Sequence, residues 1–192
     1  RAIQGGLISP AEFGVLTIAY TIAAIPTDIS LRLTALMAMP VVAETHRKDA
    51  GKAVEILNKF RKRTLSISLI LFVFFAMFAQ YIIQVLYDSR YHAAGEYLGP
   101  LAISNWLSVI SAGYLSTILT IGKSKTYFII LSLQAIFRII FTILGYYQSQ
   151  IVGMIIGIGI ANILSYVIIA IFTKKIGMLN LKMDFIFLFC AF

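Results

Sequence analysis

Five long apolar runs constrain this chain more than any other feature. They lie near residues 12–43, 64–87, 97–121, 126–147 and 151–173. A helix needs about 20 apolar residues to cross roughly 30 Å of hydrocarbon, and each run is long enough. Only 12% of the residues are charged, whereas soluble domains contain about a quarter. Because a soluble core could not bury so many apolar side chains, the sequence predicts an all-α integral membrane protein, a polytopic helical bundle.

Both ends of the sequence lie close to apolar segments. The first residue is Arg1 rather than a methionine, and a sixth apolar run, 185–192, stops after a few residues. This run is much shorter than a bilayer span requires. We therefore interpret residues 1–192 as one transmembrane bundle with five complete spans and truncated ends, within a longer protein.

The start of the first span is well specified. Ser9 can cap a helix, Pro10 suits its first turn, and Glu12 stands three residues after the cap, as in a capping box. The run then continues for about thirty residues at ~1.5 Å each, which is longer than the hydrocarbon is thick. Pro26 removes a backbone donor in the middle of the run, so we expect a kink there.

Basic residues collect in alternate connections. Lysines and arginines are concentrated in 44–63, 122–126 and 174–183, whereas the connections 88–96 and 148–150 hold only Arg90. Cytoplasmic loops of membrane proteins carry an excess of lysine and arginine. The sequence therefore predicts a multi-pass membrane protein with the three basic connections in the cytoplasm. This placement accounts for the net charge of +8 without nucleic-acid binding.

The longest connection, 44–63, has a helical pattern of its own. Apolar residues recur at helical spacing among the basic ones: Ala50, Ala53, Val54, Leu57 and Phe60. We interpret it as a cytoplasmic amphipathic connecting helix that lies along the inner leaflet and attracts anionic headgroups.

No pattern predicts an enzyme, a metal site or a cofactor. His46 and His92 fall in connections on opposite sides of the membrane, so they cannot share a metal. Gly153 and Gly157 follow no predicted strand, and a small-residue pair at this spacing favours close packing of two helices. The single cysteine, Cys190, excludes an internal disulfide.

Charged and amide side chains inside the spans are the candidate functional residues. Ionisable groups in a membrane usually face a partner or a water-filled cavity. Asp28 and Arg32 lie four residues apart in the first span and are predicted to pair, and Arg138 follows Gln134 by four residues in the fourth. Weaker candidates are more typical of hydrogen bonding between helices than of a cavity: Ser104, Asn105, Ser108, Ser111, Asn162 and Ser165. Trp106 is expected to anchor a span at the membrane interface.

Three stretches resemble a known family. They are GGLISPAEFGVLTIAYTIAAIPTDISLRLTALMAMPVVAE with its two prolines, QVLYDSRYHAAGEYLGPLAISNW, and LSTILTIGKSKTYF with its short basic turn. Their order is similar to that in polysaccharide and O-antigen flippases of the multidrug/oligosaccharidyl-lipid/polysaccharide (MOP) superfamily. One departure is Asp88, where that family often has glycine.

The resemblance implies a function and a place in a larger transporter. The chain would form most of the C-terminal lobe of a two-lobed transporter. Such proteins move an undecaprenyl-diphosphate-linked oligosaccharide across the inner membrane of a prokaryote by alternating access during lipopolysaccharide or other cell-surface polysaccharide biosynthesis. Arg1, Arg32 and Arg138 would bind the diphosphate, since arginine binds phosphate with a planar fork. Asp28, Gln134 and Asn105 would complete the cavity. The partners would be the lipid-linked oligosaccharide, membrane lipids and a proton or sodium coupling ion.

Two other functions are compatible with the sequence. A cation-coupled multidrug exporter of the same superfamily should place unpaired carboxylates in its cavity, and only Asp28 is available. A membrane assembly subunit that transports nothing would need no buried charge facing a cavity, and Arg138 argues against it.

Overall fold

The computed structural model describes residues 6–190, and the side chains of all of these except Met37 and Ala38. These residues form seven α-helices, numbered here in chain order: α1 Pro10–Leu33, α2 Met39–Lys48, α3 Ala50–Met77, α4 Ala79–Leu86, α5 Ala94–Thr120, α6 Ser124–Lys175 and α7 Leu181–Phe189. A π-helical turn, Thr34–Ala38, joins α1 to α2, and a short 3₁₀ turn, Ser89–Tyr91, precedes α5. The predicted all-α bundle is confirmed.

The long helix α6 is a hairpin of two helices. Ser149 and Gln150 have non-helical backbone angles, and Gln150 has a positive φ of 49°. A Cβ atom added to Gly157 would overlap the carbonyl group of Phe141, although sixteen residues of straight helix would separate them by about 24 Å. The chain therefore reverses at 149–150. We call the two halves α6a (124–148) and α6b (151–175).

Within residues 6–190, three helices are long and apolar enough to cross a membrane: the first covers Pro10–Leu36, and the others are α5 and α6. The pair α3 and α4 also passes as a fourth candidate, but it is bent by 73° at its break. Counting α6a and α6b separately gives five candidate spans, in agreement with the five predicted runs.

The second predicted span is broken rather than continuous. Helix α3 ends at Met77, and Phe78 has non-helical angles before α4 begins. Beyond the break, Ala79 and Ile83 of α4 are buried. A Cβ atom on Gly95 of α5 would lie only 2.9 Å from the Cα atom of Gln80. The missing side chain of this glycine lets α4 pack tightly against α5.

The first span begins as predicted, and it contains an irregular turn further along. The Ser9 and Glu12 side chains form the complete capping box, with Pro10 in the first turn. Helical structure continues through Pro26, and the wide π-helical turn comes just before Pro40. Proline has no backbone N–H to close the regular bond to the carbonyl four residues earlier, so the wider turn forms beside it.

The connection 44–63 is divided between two helices and does not form one separate interfacial helix. Asp49 caps α3, its side chain accepting a hydrogen bond from the Lys52 backbone N–H at 3.1 Å. Residues 50–63 are the first turns of α3, which continues without interruption into the span because no proline follows. Ala53 and Leu57 on the predicted apolar stripe are fully buried, and Leu57 packs with Met39 and Val42.

The two ends of the bundle have different compositions. One apolar cluster brings together Met39, Leu57, Ile121 and Met178, which adjoin the three basic connections. These connections therefore share one end of the bundle, which we call the basic end. A second cluster joins Ala94 and Ile151 with half-buried tyrosines at the opposite end: Tyr87, Tyr97 and Tyr146.

Helix α5 lies at the centre of the bundle and packs against α1, α3, α4 and α6. Trp106 of this helix is 2% exposed, so its predicted role as an interfacial anchor is wrong. Its ring packs edge-on against Phe72 at 5.1 Å, and its indole N–H donates to the Phe187 carbonyl at 3.1 Å. A buried indole N–H needs a hydrogen-bond acceptor, and here the acceptor is a carbonyl group on α7 rather than the water and headgroups of the membrane interface.

Candidate functional site

Two adjoining cavities open between α1, α5 and α6. The larger has a volume of about 500 Å³ and lies between α1, α5 and α6a. The smaller, of about 330 Å³, extends to α6b. We call them the first and second cavities. Both are lined by Thr27, Ser108, Ala135 and Arg138.

Arg138 and Gln134 of α6a occupy the positions predicted for a polar cavity. Arg138 lines both cavities, and Gln134 lines the second. The Arg138 side chain is exposed and has no hydrogen bond or ion pair with any described residue. Its guanidinium group is therefore free to bind an anion that enters either cavity.

Asp28 lines the first cavity together with Asn105, whose side chain is buried. Arg32 lies in the last turn of α1, is exposed, and lines neither cavity. The predicted ion pair between Asp28 and Arg32 is not formed within the described residues. Arg1, the third predicted arginine, lies outside the described residues.

The remaining lining of the second cavity is uncharged. Its polar residues other than Arg138 are Thr27, Ser108, Ser111, Gln134, Asn162 and Ser165. Thr27 Oγ1 is buried and has no hydrogen-bond partner among the described residues. A buried hydroxyl without a hydrogen-bond partner is unfavourable, so Thr27 is a residue of both linings whose polar group the described residues leave unsatisfied.

Some of the weaker polar candidates form hydrogen bonds between helices, which is one of the two roles predicted for them. The Asn162 amide donates to the Ser104 carbonyl at 2.7 Å and links α6b to α5. The Ser104 hydroxyl donates to the Ile155 carbonyl at 3.4 Å. A Cβ atom on Gly153 would overlap the Gly145 carbonyl group, so the predicted close approach at this glycine is confirmed. These contacts hold the cavity walls in place.

A second polar site, which the sequence analysis missed, is buried near the basic end. Arg61 of α3 and Asp184 of α7 are each 3% exposed, and Arg61 Nη2 donates to Asp184 Oδ1 at 2.8 Å. The same nitrogen donates to the Ile110 carbonyl at 2.9 Å. The guanidinium carbon lies 3.5 Å from the centre of the Tyr114 ring. The described residues therefore shield this ion pair almost completely from solvent.

Two tyrosines complete this buried site, which we call the Asp184 cluster (Arg61, Tyr114, Tyr166 and Asp184). Asp184 Oδ2 accepts hydrogen bonds from the hydroxyls of Tyr114 at 2.8 Å and Tyr166 at 2.9 Å. Tyr114 also accepts from the Asn180 backbone N–H at 3.0 Å. One carboxylate therefore connects four helices: α3, α5, α6b and α7.

Comparison with known proteins supports one part of the resemblance. A model of a family described as polysaccharide biosynthesis proteins matches residues 2–96. The match covers just under half of the chain and ends at the start of α5. Helix α6 therefore lies beyond the match, and so do Tyr114, Tyr166 and Asp184 of the Asp184 cluster. No curated protein and no solved structure shows significant similarity to the chain.

Proposed function

We propose that this chain forms one lobe of a flippase that moves a lipid-linked oligosaccharide across the inner membrane for cell-surface polysaccharide biosynthesis. The match of residues 2–96 to a family of polysaccharide biosynthesis proteins supports the pathway. The observation that carries the proposal is the second cavity, where Arg138 is the one charged residue in the lining that the structure describes.

The chemistry of the second cavity suits a lipid diphosphate. Arg138 can donate two parallel hydrogen bonds to phosphate oxygens, and these bonds are stronger than those between neutral groups. The Gln134 amide adds further donors. We infer that the diphosphate of an undecaprenyl carrier binds here, while the two lobes expose the cavity alternately to each side. Arg32 is not part of this site, since it lines neither cavity.

The test is replacement of Arg138 by glutamine. Arg138→Gln keeps a polar side chain and removes the charge, so we expect near-normal abundance but at least about tenfold slower export, because a charge-assisted hydrogen bond contributes roughly 1.5 to 3 kcal/mol. Arg138→Lys should recover part of the activity, since it keeps the charge and loses the fork. Surface polysaccharide is measured in cells that lack their own flippase and make the full-length protein, with protein amount determined by immunoblot.

Arg47→Gln is the matched control. Arg47 is an exposed arginine in the last turn of α2 that lines neither cavity, and its loss removes the same charge. We expect normal export from this variant. Normal export by an Arg138→Gln protein of normal abundance would exclude Arg138 from cargo binding.

Asp28 favours a second candidate, a cation-coupled multidrug exporter. Its carboxylate lines the first cavity and has no ion pair within residues 6–190, so it could bind a proton, a sodium ion or a cationic drug. The discriminating experiment measures drug resistance and polysaccharide export for Asp28→Asn in the same cells. Loss of drug resistance, in cells whose polysaccharide does not depend on the protein, would favour the exporter.

A further inference from the structure

We propose that the outer face of α3 binds one anionic phospholipid of the membrane leaflet at the basic end. The face is defined by Lys59, Lys62 and Arg63 followed by Ile67, Ile70 and Phe74. These residues recur at helical spacing, so they lie on one side of a continuous helix. The proposal does not depend on the cargo of the two cavities.

The cationic part of this face has no partner in the protein. Lys59, Lys62 and Arg63 are exposed, and none forms an ion pair with a described residue. Glu55, one turn earlier on the same side, is the one nearby acid on α3. Three cations against one acid leave a net charge of +2 beside the membrane surface, which attracts a lipid phosphate.

The apolar part begins directly beyond the cations. Ile67, Ile70 and Phe74 are 49%, 71% and 48% exposed. From Arg63 to Phe74 the helix rises about 16 Å, which is close to half of the ~30 Å hydrocarbon thickness. One lipid can therefore place its headgroup at the cations while its acyl chain follows this stripe.

The stripe ends in an apolar cavity at the bend between α3 and α4. This cavity has a volume of about 480 Å³ and exposes no polar surface. Its lining residues are Phe74, Phe75, Phe78, Tyr81, Ile82, Val85 and Leu86. Because the helix turns by 73° here, a concave surface forms where a straight span would be convex. The cavity can hold the end of an acyl chain.

The opposite side of α3 explains why the site faces lipid. Leu57, Arg61, Leu65, Ser68 and Phe72 are buried and point towards the rest of the bundle. The face with Lys59, Lys62 and Arg63 lies on the other side of the helix, so it is separate from both the Asp184 cluster and the two cavities. Charge complementarity and length favour an amphipathic anion over a protein helix as its occupant.

The experiment uses the full-length protein in phosphatidylcholine nanodiscs that contain a trace of phosphatidylglycerol with a photoactivatable acyl chain. We expect labelling within residues 67–86, identified by peptide mass spectrometry. Each cation near a membrane surface strengthens binding about fivefold. The triple variant Lys59→Gln, Lys62→Gln, Arg63→Gln should therefore lose at least about tenfold of this labelling.

The matched control is Lys123→Gln, Lys125→Gln, Lys174→Gln, which removes the same charge from other basic connections. Labelling of this control should stay within about twofold of the unmodified protein. Equal losses in both variants, or equal labelling by a phosphatidylcholine probe, would overturn a discrete anionic site. Complete displacement of the probe by a polyprenyl diphosphate would assign the face to that lipid instead. Crosslinking of the face to another protein segment would also refute the proposal.

Discussion

The two arginines Arg61 and Arg138 lie in opposite surroundings. Arg61 is 3% exposed and is held by a carboxylate, a carbonyl and an aromatic ring. Arg138 is exposed to two cavities and has no side-chain partner among the described residues. A buried charge is tolerated only when it is paired, whereas a free charge inside a span normally marks a site of binding or transport. The comparison predicts that Arg61 serves folding and that Arg138 serves function.

The carboxylates differ in the same way. Asp184 accepts hydrogen bonds from three side chains on three different helices. Asp28 lines the first cavity without an ion pair in the part of the chain that the structure describes. Changes at the Asp184 cluster should therefore reduce stability, and changes at the cavities should reduce activity at constant stability.

The largest expected effect follows from Asp184→Ala. It leaves the Arg61 guanidinium buried without its counter-charge, which typically costs about 3 to 5 kcal/mol of stability. We expect most of the folded protein to be lost, measured by size-exclusion chromatography of detergent extracts after heating. Asp28→Ala, which removes an exposed carboxylate, should change the free energy of unfolding by no more than about 0.5 kcal/mol.

A double variant sharpens this prediction. Replacing both members of a buried ion pair by apolar residues is often nearly neutral, so Arg61→Met should restore much of the stability lost with Asp184→Ala. If the Asp184→Ala protein is as stable as the Asp28→Ala protein, the ion pair between Arg61 and Asp184 does not stabilise the packing of α7. The proposed difference between a structural and a functional carboxylate would then be wrong.

The next effect concerns access from water. Ser108 lines both cavities, whereas Ser68 is fully buried and hydrogen-bonded to Ser30. After Cys190→Ser, we expect Ser108→Cys to react with a small water-soluble thiol reagent at least about ten times faster than Ser68→Cys, because reaction requires access to the thiolate. Similar rates at both positions would show that the cavities are closed to water, or that the bundle opens throughout.

The sequence predicted the features that depend on local pattern. Long apolar runs identified the spans, because lipid selects hydrophobic helices irrespective of how they pack. The capping box at Ser9 and Glu12 depends on residues three apart, and it formed as predicted. Charges and amides within apolar runs led to the cavities at Asp28, Gln134 and Arg138. Each of these signals lies within a few turns of one helix.

The features that depend on distant contacts were missed. Arg61 was counted with the basic connection, although its spacing from Leu57 and Leu65 places it on the buried stripe of α3 and could have identified it. Its partner Asp184 lies 123 residues away, and helical periodicity carries no information about such pairs. The break at Phe78 follows neither proline nor glycine, so no local residue pattern predicts it, and the packing of Gln80 on Gly95 beyond the break is again a distant contact.

The smallest expected effect comes from Tyr166→Phe, which removes one hydrogen bond to Asp184 Oδ2 and little else. A hydrogen bond to a charged group contributes about 1.5 to 3 kcal/mol, and Tyr114 still donates to the same oxygen, so we expect a loss near 1.5 kcal/mol and a thermal midpoint lower by a few degrees. Tyr127→Phe is the control, since that hydroxyl has no hydrogen-bond partner among the described residues. Equal thermal midpoints for the two variants would mean that the Tyr166 hydroxyl does not stabilise the Asp184 carboxylate. The carboxylate would then be stabilised by its hydrogen bonds from Arg61 and Tyr114 alone.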